Sequence, residues 1–178
     1  TGMTQIECLA ILIPKEGDPC AVTLWLDAEF VENESGIKTY WYLFPKENLV
    51  GKMIERIKAY GMQEPKIGFE RYFVDYGVYD GLRQVFSERL FTGAGELFYR
   101  LRSIKETQEI DLMRQAGNAA CAGMDAAIKA VRPGAKELDI LAEAEYAMLK
   151  AGSGGSSFRP QVVSGPRTML THPCASNK

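Results

Sequence analysis

Apolar residues fall into short runs and helical stripes that divide the first hundred residues into alternating strands and helices. Residues 6–13 and 20–26 are two apolar runs, and Lys15-Glu16-Gly17-Asp18-Pro19 between them supplies turn residues, so the pair predicts a β-hairpin. Asp27 stands where it would cap a short helix through about Glu34, and Gly36 would end it. Residues 38–44, rich in Tyr and Trp, read as strand or extended chain closed by Pro45. A helix fits 46–60, because Leu49, Met53, Ile54 and Ile57 recur at steps that share one face. Residues 66–70 read as a short strand. Residues 74–88 read as another helix, with Val78, Leu82, Val85 and Phe86 to one side. Strands alternating with helices predict an α/β domain over 1–100.

The pattern changes between Gly95 and Ser103, and beyond it the chain is helical and alanine-rich. Ser103-Ile104-Lys105-Glu106 fits a capping box, with Ser103 at the N-cap. A long helix to about Val131 follows, with Met113, Ala116, Ala120, Met124, Ala127 and Val131 stepping along one face. Gly117, Ala119, Ala122 and Gly123 keep it slim enough for another element to approach closely. Arg132-Pro133-Gly134 stops it, and a second helix fits 137–150, with Leu138, Leu141, Glu145 and Met148 along one line. Gly152 ends that helix, 153–156 is a flexible link, 157–163 reads as strand, and Ser164-Gly165-Pro166 turns the chain. Two consecutive amphipathic helices predict the start of a second domain over 101–178. No internal repeat or low-complexity tract is visible.

With 178 residues, 46% of them hydrophobic, the chain has material for a real core, and a net charge of −2 gives no reason to expect nucleic acid or an anionic membrane as partner. The longest clear apolar run, 8–13, is far short of the roughly 18 residues of a membrane helix. No signal-peptide pattern is present. Cys8, Cys20, Cys121 and Cys174 are widely spaced without a Cys-x-x-Cys pair. They read as reduced thiols of a cytoplasmic protein, mostly packed as small hydrophobes, with disulfides the alternative.

One histidine, His172, limits the chemistry: no two-histidine metal motif can be built. Gly152-Ser153-Gly154-Gly155-Ser156 follows a helix and opens a strand, the wrong context for a phosphate loop, so it reads as a linker. Asp75, Asp80, Asp111, Asp125 and Asp139 are scattered over separate faces rather than converging as metal ligands do. After Glu145 there is no Asp or Glu at all, while Lys150, Arg159, Arg167 and Lys178 follow. The chain itself is therefore expected to hold no divalent ion. His172 precedes Pro173, which disfavours helix there. It suits an acid, a base or a donor to substrate, with an ordinary loop histidine as the alternative.

From Leu101 onward the sequence resembles the metallohydrolases that include aminopeptidase P, proline dipeptidase, creatinase and methionine aminopeptidase. The matching pieces are Leu101-Arg102-Ser103-Ile104-Lys105-Glu106 with Glu109-Ile110, Arg132-Pro133-Gly134 with Glu137, Ala151-Gly152, the stretch from Ser157 to Gly165, and His172. Their order and spacing carry the likeness, and the first half resembles that family's N-terminal domain more weakly, Thr1-Gly2 included. The resemblance implies a creatinase-type α/β N-terminal domain followed by the start of an α+β "pita-bread" catalytic domain. It implies part of a metal-dependent Xaa-Pro peptidase, a homodimer acting on peptides with proline at the second position.

In that family two Asp, one His and two Glu hold two divalent ions (Mn, Co or Zn), and all five lie downstream of the position of His172. The chain is therefore read as an internal fragment or the ordered part of a longer protein. The resemblance makes His172 a substrate-side residue rather than a metal ligand, and implies a substrate-binding role for Phe158. A creatinase-like amidinohydrolase and a non-catalytic pita-bread binding scaffold are the alternatives.

Overall fold

The computed structural model describes residues 9–70 and 72–178, and the chain divides into two compact units between Ser103 and Ile104. In the first unit, β1 (Ala10–Leu12) and β2 (Cys20–Leu24) form the antiparallel hairpin, with Ala10 opposite Val22. Residues 6–8 of the expected strand lie outside the described residues, as do Thr1, Gly2 and Cys8. A 3-10 turn, Trp25–Asp27, leads into α1 (Ala28–Ser35). The expectation that Asp27 caps this helix fails: Asp27 already has helical backbone angles from the preceding turn, and its side chain accepts no cap bond. Gly36 does end α1, at φ 66°, a left-handed conformation that costs a residue with a Cβ more than it costs glycine.

The chain then returns as β3 (Thr39–Tyr42), parallel to β2, which makes β2 the central strand of three. Burial follows from that position. Val22, on one face of β2, joins Tyr42, Met53, Ile57, Leu82 and Phe86 in the core. Burying each aliphatic side chain of this set contributes on the order of 1.5–3 kcal/mol. Helix α2 (Leu49–Ala59) covers that face, its start fixed by Asn48, whose Oδ1 accepts from Gly51 N at 2.8 Å. Helix α1 packs on β2 and β3 and buries Val31.

A second, two-stranded parallel sheet joins β4 (Ile67–Phe69) to β5 (Phe91–Gly93). Between them runs α3 (Tyr76–Arg83), where Asp75 Oδ1 accepts from Gly77 N at 2.7 Å and Val78 N at 3.3 Å. The expected helix over 74–88 is therefore shorter, and β5 was not foreseen. Phe69, Tyr79 and Phe91 pack as three rings with centroids 5.5–6.3 Å apart. Helix α4 (Gly95–Ser103) ends the unit.

The second unit begins with α5 (Thr107–Ala130) and α6 (Glu137–Lys150), which pack on each other. The expected capping box is displaced by three residues. Ser103 belongs to the end of α4, where its Oγ donates to the Arg100 carbonyl, and the box is formed by Glu106 and Glu109, with Glu109 Oε2 accepting from Glu106 N at 2.9 Å. The packed face of α5 also differs from the expected stripe. Ala119 and Gly123 are buried, whereas Met113, Met124 and Val131 are 59%, 62% and 65% exposed. The small residues, not the large ones, face α6.

Residues 157–163 form no strand among the described residues. They run as irregular chain into a 3-10 turn, Gly165–Met169, and on to the C-terminal segment. Cys20, Cys121 and Cys174 are free thiols; Cys20 is buried, while Cys121 and Cys174 are exposed rather than packed as expected. No described helix is long and apolar enough to cross a membrane.

Candidate active site

The loop after α6 carries both residues singled out by the sequence. Phe158 and His172 are fourteen positions apart, yet their rings lie 6.3 Å apart between centroids, tilted at 59°. Phe158 is 69% exposed and His172 is exposed too, so the pair presents an apolar face beside an imidazole on an open surface. Pro173 is buried and seats the chain just after the imidazole.

What holds this loop is a buried carboxylate at the start of α6. Glu137, the first residue of α6, is 2% exposed and has the bulkiest of the fully buried side chains. Its Oε1 accepts from Ser164 N at 2.7 Å and from Ser164 Oγ at 2.9 Å. Its Oε2 accepts from Ser176 N at 2.9 Å, from Ser176 Oγ at 2.7 Å, and from the Arg167 guanidinium. The guanidinium also donates to the Cys174 carbonyl. Burial alone would push the Glu137 carboxyl up; the hydroxyls and amides of Ser176 and Ser164 outweigh it and hold the group down at about 2. The backbone closes the same junction, with Glu137 N donating to Lys178 O at 2.8 Å and Leu138 N to Ser176 O at 3.2 Å. Amides at the start of α6 thus find carbonyl partners in the C-terminal segment instead of a side-chain cap.

Signals for this arrangement were present but weak. A glutamate in a helix's first turn reads as an ordinary complement to the helix dipole. The only local hint of a different role was the lack of any acid after Glu145, which leaves Arg167 without an anionic partner in its own segment.

The residues present do not fit a two-metal centre. Among the described residues no three His, Cys, Asp or Glu side chains come together. Glu137 already accepts from two serines and an arginine, and Asp111 pairs with Arg114 at 2.9 Å. The other candidate acids remain dispersed.

The profile of the creatinase/prolidase N-terminal domain matches residues 1–104, and that of metallopeptidase family M24 matches 111–178. The chain belongs to the creatinase/prolidase family: a creatinase-type N-terminal α/β domain followed by the start of the pita-bread catalytic domain. It is 27% identical over its whole length to an uncharacterized peptidase, YqhT, of Bacillus subtilis, covering 49% of that protein. It is 28% identical over 153 residues to the Xaa-Pro dipeptidase of Pyrococcus horikoshii, covering 86% of this chain and 41% of that protein. The solved Xaa-Pro dipeptidase of Bacillus anthracis superposes with a TM-score of 0.75 at 27% identity, over 94% of this chain and 46% of the other. The chain thus spans about half the length of the curated relatives it matches.

Proposed function

We propose that the chain is part of a metal-dependent Xaa-Pro peptidase, of proline dipeptidase or aminopeptidase P type, in which it supplies substrate contacts and no metal ligand. The observation that carries the reading is the open pairing of Phe158 with His172. A prolyl ring is apolar and its nitrogen, once in a peptide bond, has no hydrogen to donate. A phenyl face suits that ring, and an adjacent imidazole N–H suits a substrate oxygen near the scissile bond. Relatives named Xaa-Pro dipeptidase support the substrate class. The likeness to the family, not the chain's own donor set, is what gives His172 a hydrogen bond to substrate and no place at the manganese, cobalt or zinc ions of such an enzyme.

The test is His172→Ala in the complete enzyme, assayed on a dipeptide with proline second. A contact made mainly in the transition state costs rate more than affinity. The expected result is a kcat about 10²-fold lower or less still, with metal content unchanged. Loss of metal together with activity would make His172 a ligand. An unchanged kcat would make it a plain loop residue. Either result overturns the reading.

A further inference from the structure

We infer that Glu137 is a positioning residue for the His172 loop: one buried carboxylate ties both ends of the 164–176 segment to the start of α6 and so fixes where His172 stands. Oε1 holds Ser164, on one side of His172 in sequence, and Oε2 holds Ser176, on the other. Arg167 links the two sides, since it donates both to Glu137 and to the Cys174 carbonyl two residues past the imidazole. The loop in between has no strand or helix other than the short 3-10 turn at its start, so no sheet ladder supplies the same restraint. Every group facing the carboxylate is a donor: two hydroxyls, two backbone amides and a guanidinium. An anionic acceptor is the group that satisfies all of them at once. A glutamine of the same shape would turn an NH2 toward donors.

The effect on catalysis rests on the reading of His172 given above, but the positioning is testable without any activity. His172 is the only histidine of the 178 residues, so histidine-selective labelling of this chain gives one imidazole signal, and its cross-relaxation with the Phe158 ring reports the pairing directly. In Glu137→Gln we expect that cross-peak to vanish and the imidazole shift to move toward its value in a short peptide, while far-ultraviolet circular dichroism keeps the helical signal. If Glu137 only added stability, the variant would melt earlier but its folded state would keep the cross-peak; that outcome overturns the inference. Should Glu137→Gln lose the helices as well, the milder Ser164→Ala/Ser176→Ala double variant decides. It leaves the carboxylate, both backbone amides and Arg167 in place, and it must weaken the cross-peak with helices intact; an unchanged cross-peak overturns the inference.

In the complete enzyme, Glu137→Gln should lower kcat by up to about 10²-fold, as a misplaced reacting group does, with a smaller change in KM. A lost cross-peak with unchanged kcat leaves Glu137 as the loop's anchor and overturns only the substrate-side reading of His172.

Discussion

Gly123 of α5 faces Met148 of α6 so closely that a Cβ built on the glycine would lie 2.5 Å from Met148 Cγ and 3.1 Å from the Ala144 carbonyl oxygen. Ala119 and Ala144 are buried beside this contact, so the helix pair closes on small side chains. Close approach of two backbones is what glycine and alanine permit and what larger residues at these positions would prevent.

Gly123→Ala sets two effects against each other. Alanine gains about 1 kcal/mol over glycine in a helix interior, whereas forcing a methyl group into a filled contact costs about 1–3 kcal/mol. The obstacle includes backbone, so the second effect should win, and we expect lower stability by denaturant titration. Gly117 is the control: it lies on the same helix with nothing within 4 Å of an added Cβ. Gly117→Ala should raise stability by about 0.4–1 kcal/mol. Equal signs for the two variants would mean that α5 and α6 are not in the contact described.

These helices show what local pattern can and cannot reveal. The spans of α5 and α6 were legible because Pro133, Gly134 and Gly152 punctuate them. The packed face of α5 was misread because periodicity weights large apolar residues, and here the seam belongs to the small ones. Strand β5 stayed hidden because three residues, Phe91 to Gly93, carry no period; its identity comes from pairing with β4 about 24 residues earlier. The capping box slipped because Ser103 and Glu106 both open plausible boxes, and Ser103 was already taken by α4. His172 stood out as the one histidine and Phe158 entered through family likeness, and their proximity came only with the fold. Glu137 was illegible as an anchor because its partners lie 27 to 39 residues downstream.

The Glu137 carboxyl sits at about 2 against an ordinary value of 4.5. A depressed folded value means that the unfolded chain takes up a proton first as pH falls. The contribution is therefore complete above about pH 5, declines as pH falls through the range below it, and is gone once the folded carboxyl itself protonates near 2. Glu137→Gln should melt below the parent chain at pH 7, and the gap should narrow steadily toward pH 2.5. Melting curves of both proteins across that range test the sign; a gap that widens on acidification would contradict the network.

Thiol reactivity should separate the cysteines. Cys121 and Cys174 are exposed, and Cys20 is buried in the central strand. Brief treatment with iodoacetamide under native conditions, followed by peptide mass spectrometry, should show Cys121 and Cys174 alkylated and Cys20 spared. Adding denaturant should release Cys20. Early modification of Cys20 would argue against β2 as the core of the first sheet.

Tyr60 joins the end of α2 to the hairpin loop, its hydroxyl donating to the Asp18 carbonyl at 2.8 Å. Burial pushes its phenol up to about 12, with the neighbouring Cys20 thiol adding to the rise and the Arg56 charge working against it. Tyr60 should therefore be a late phenol to ionise in the native chain, and Tyr60→Phe should remove a component near pH 12 from the ultraviolet titration. The stability consequence has a definite sign. With a folded value above the unfolded one of about 10, the contribution is fully present below pH 10 and is lost as pH rises from there toward 12. Tyr60→Phe also gives up one hydrogen bond, so at neutral pH it should destabilise by about 0.5–1.5 kcal/mol. The difference in melting temperature between parent and variant should then shrink between pH 10 and 12. If it persists unchanged through that range, the phenol is not protected by burial in the folded chain.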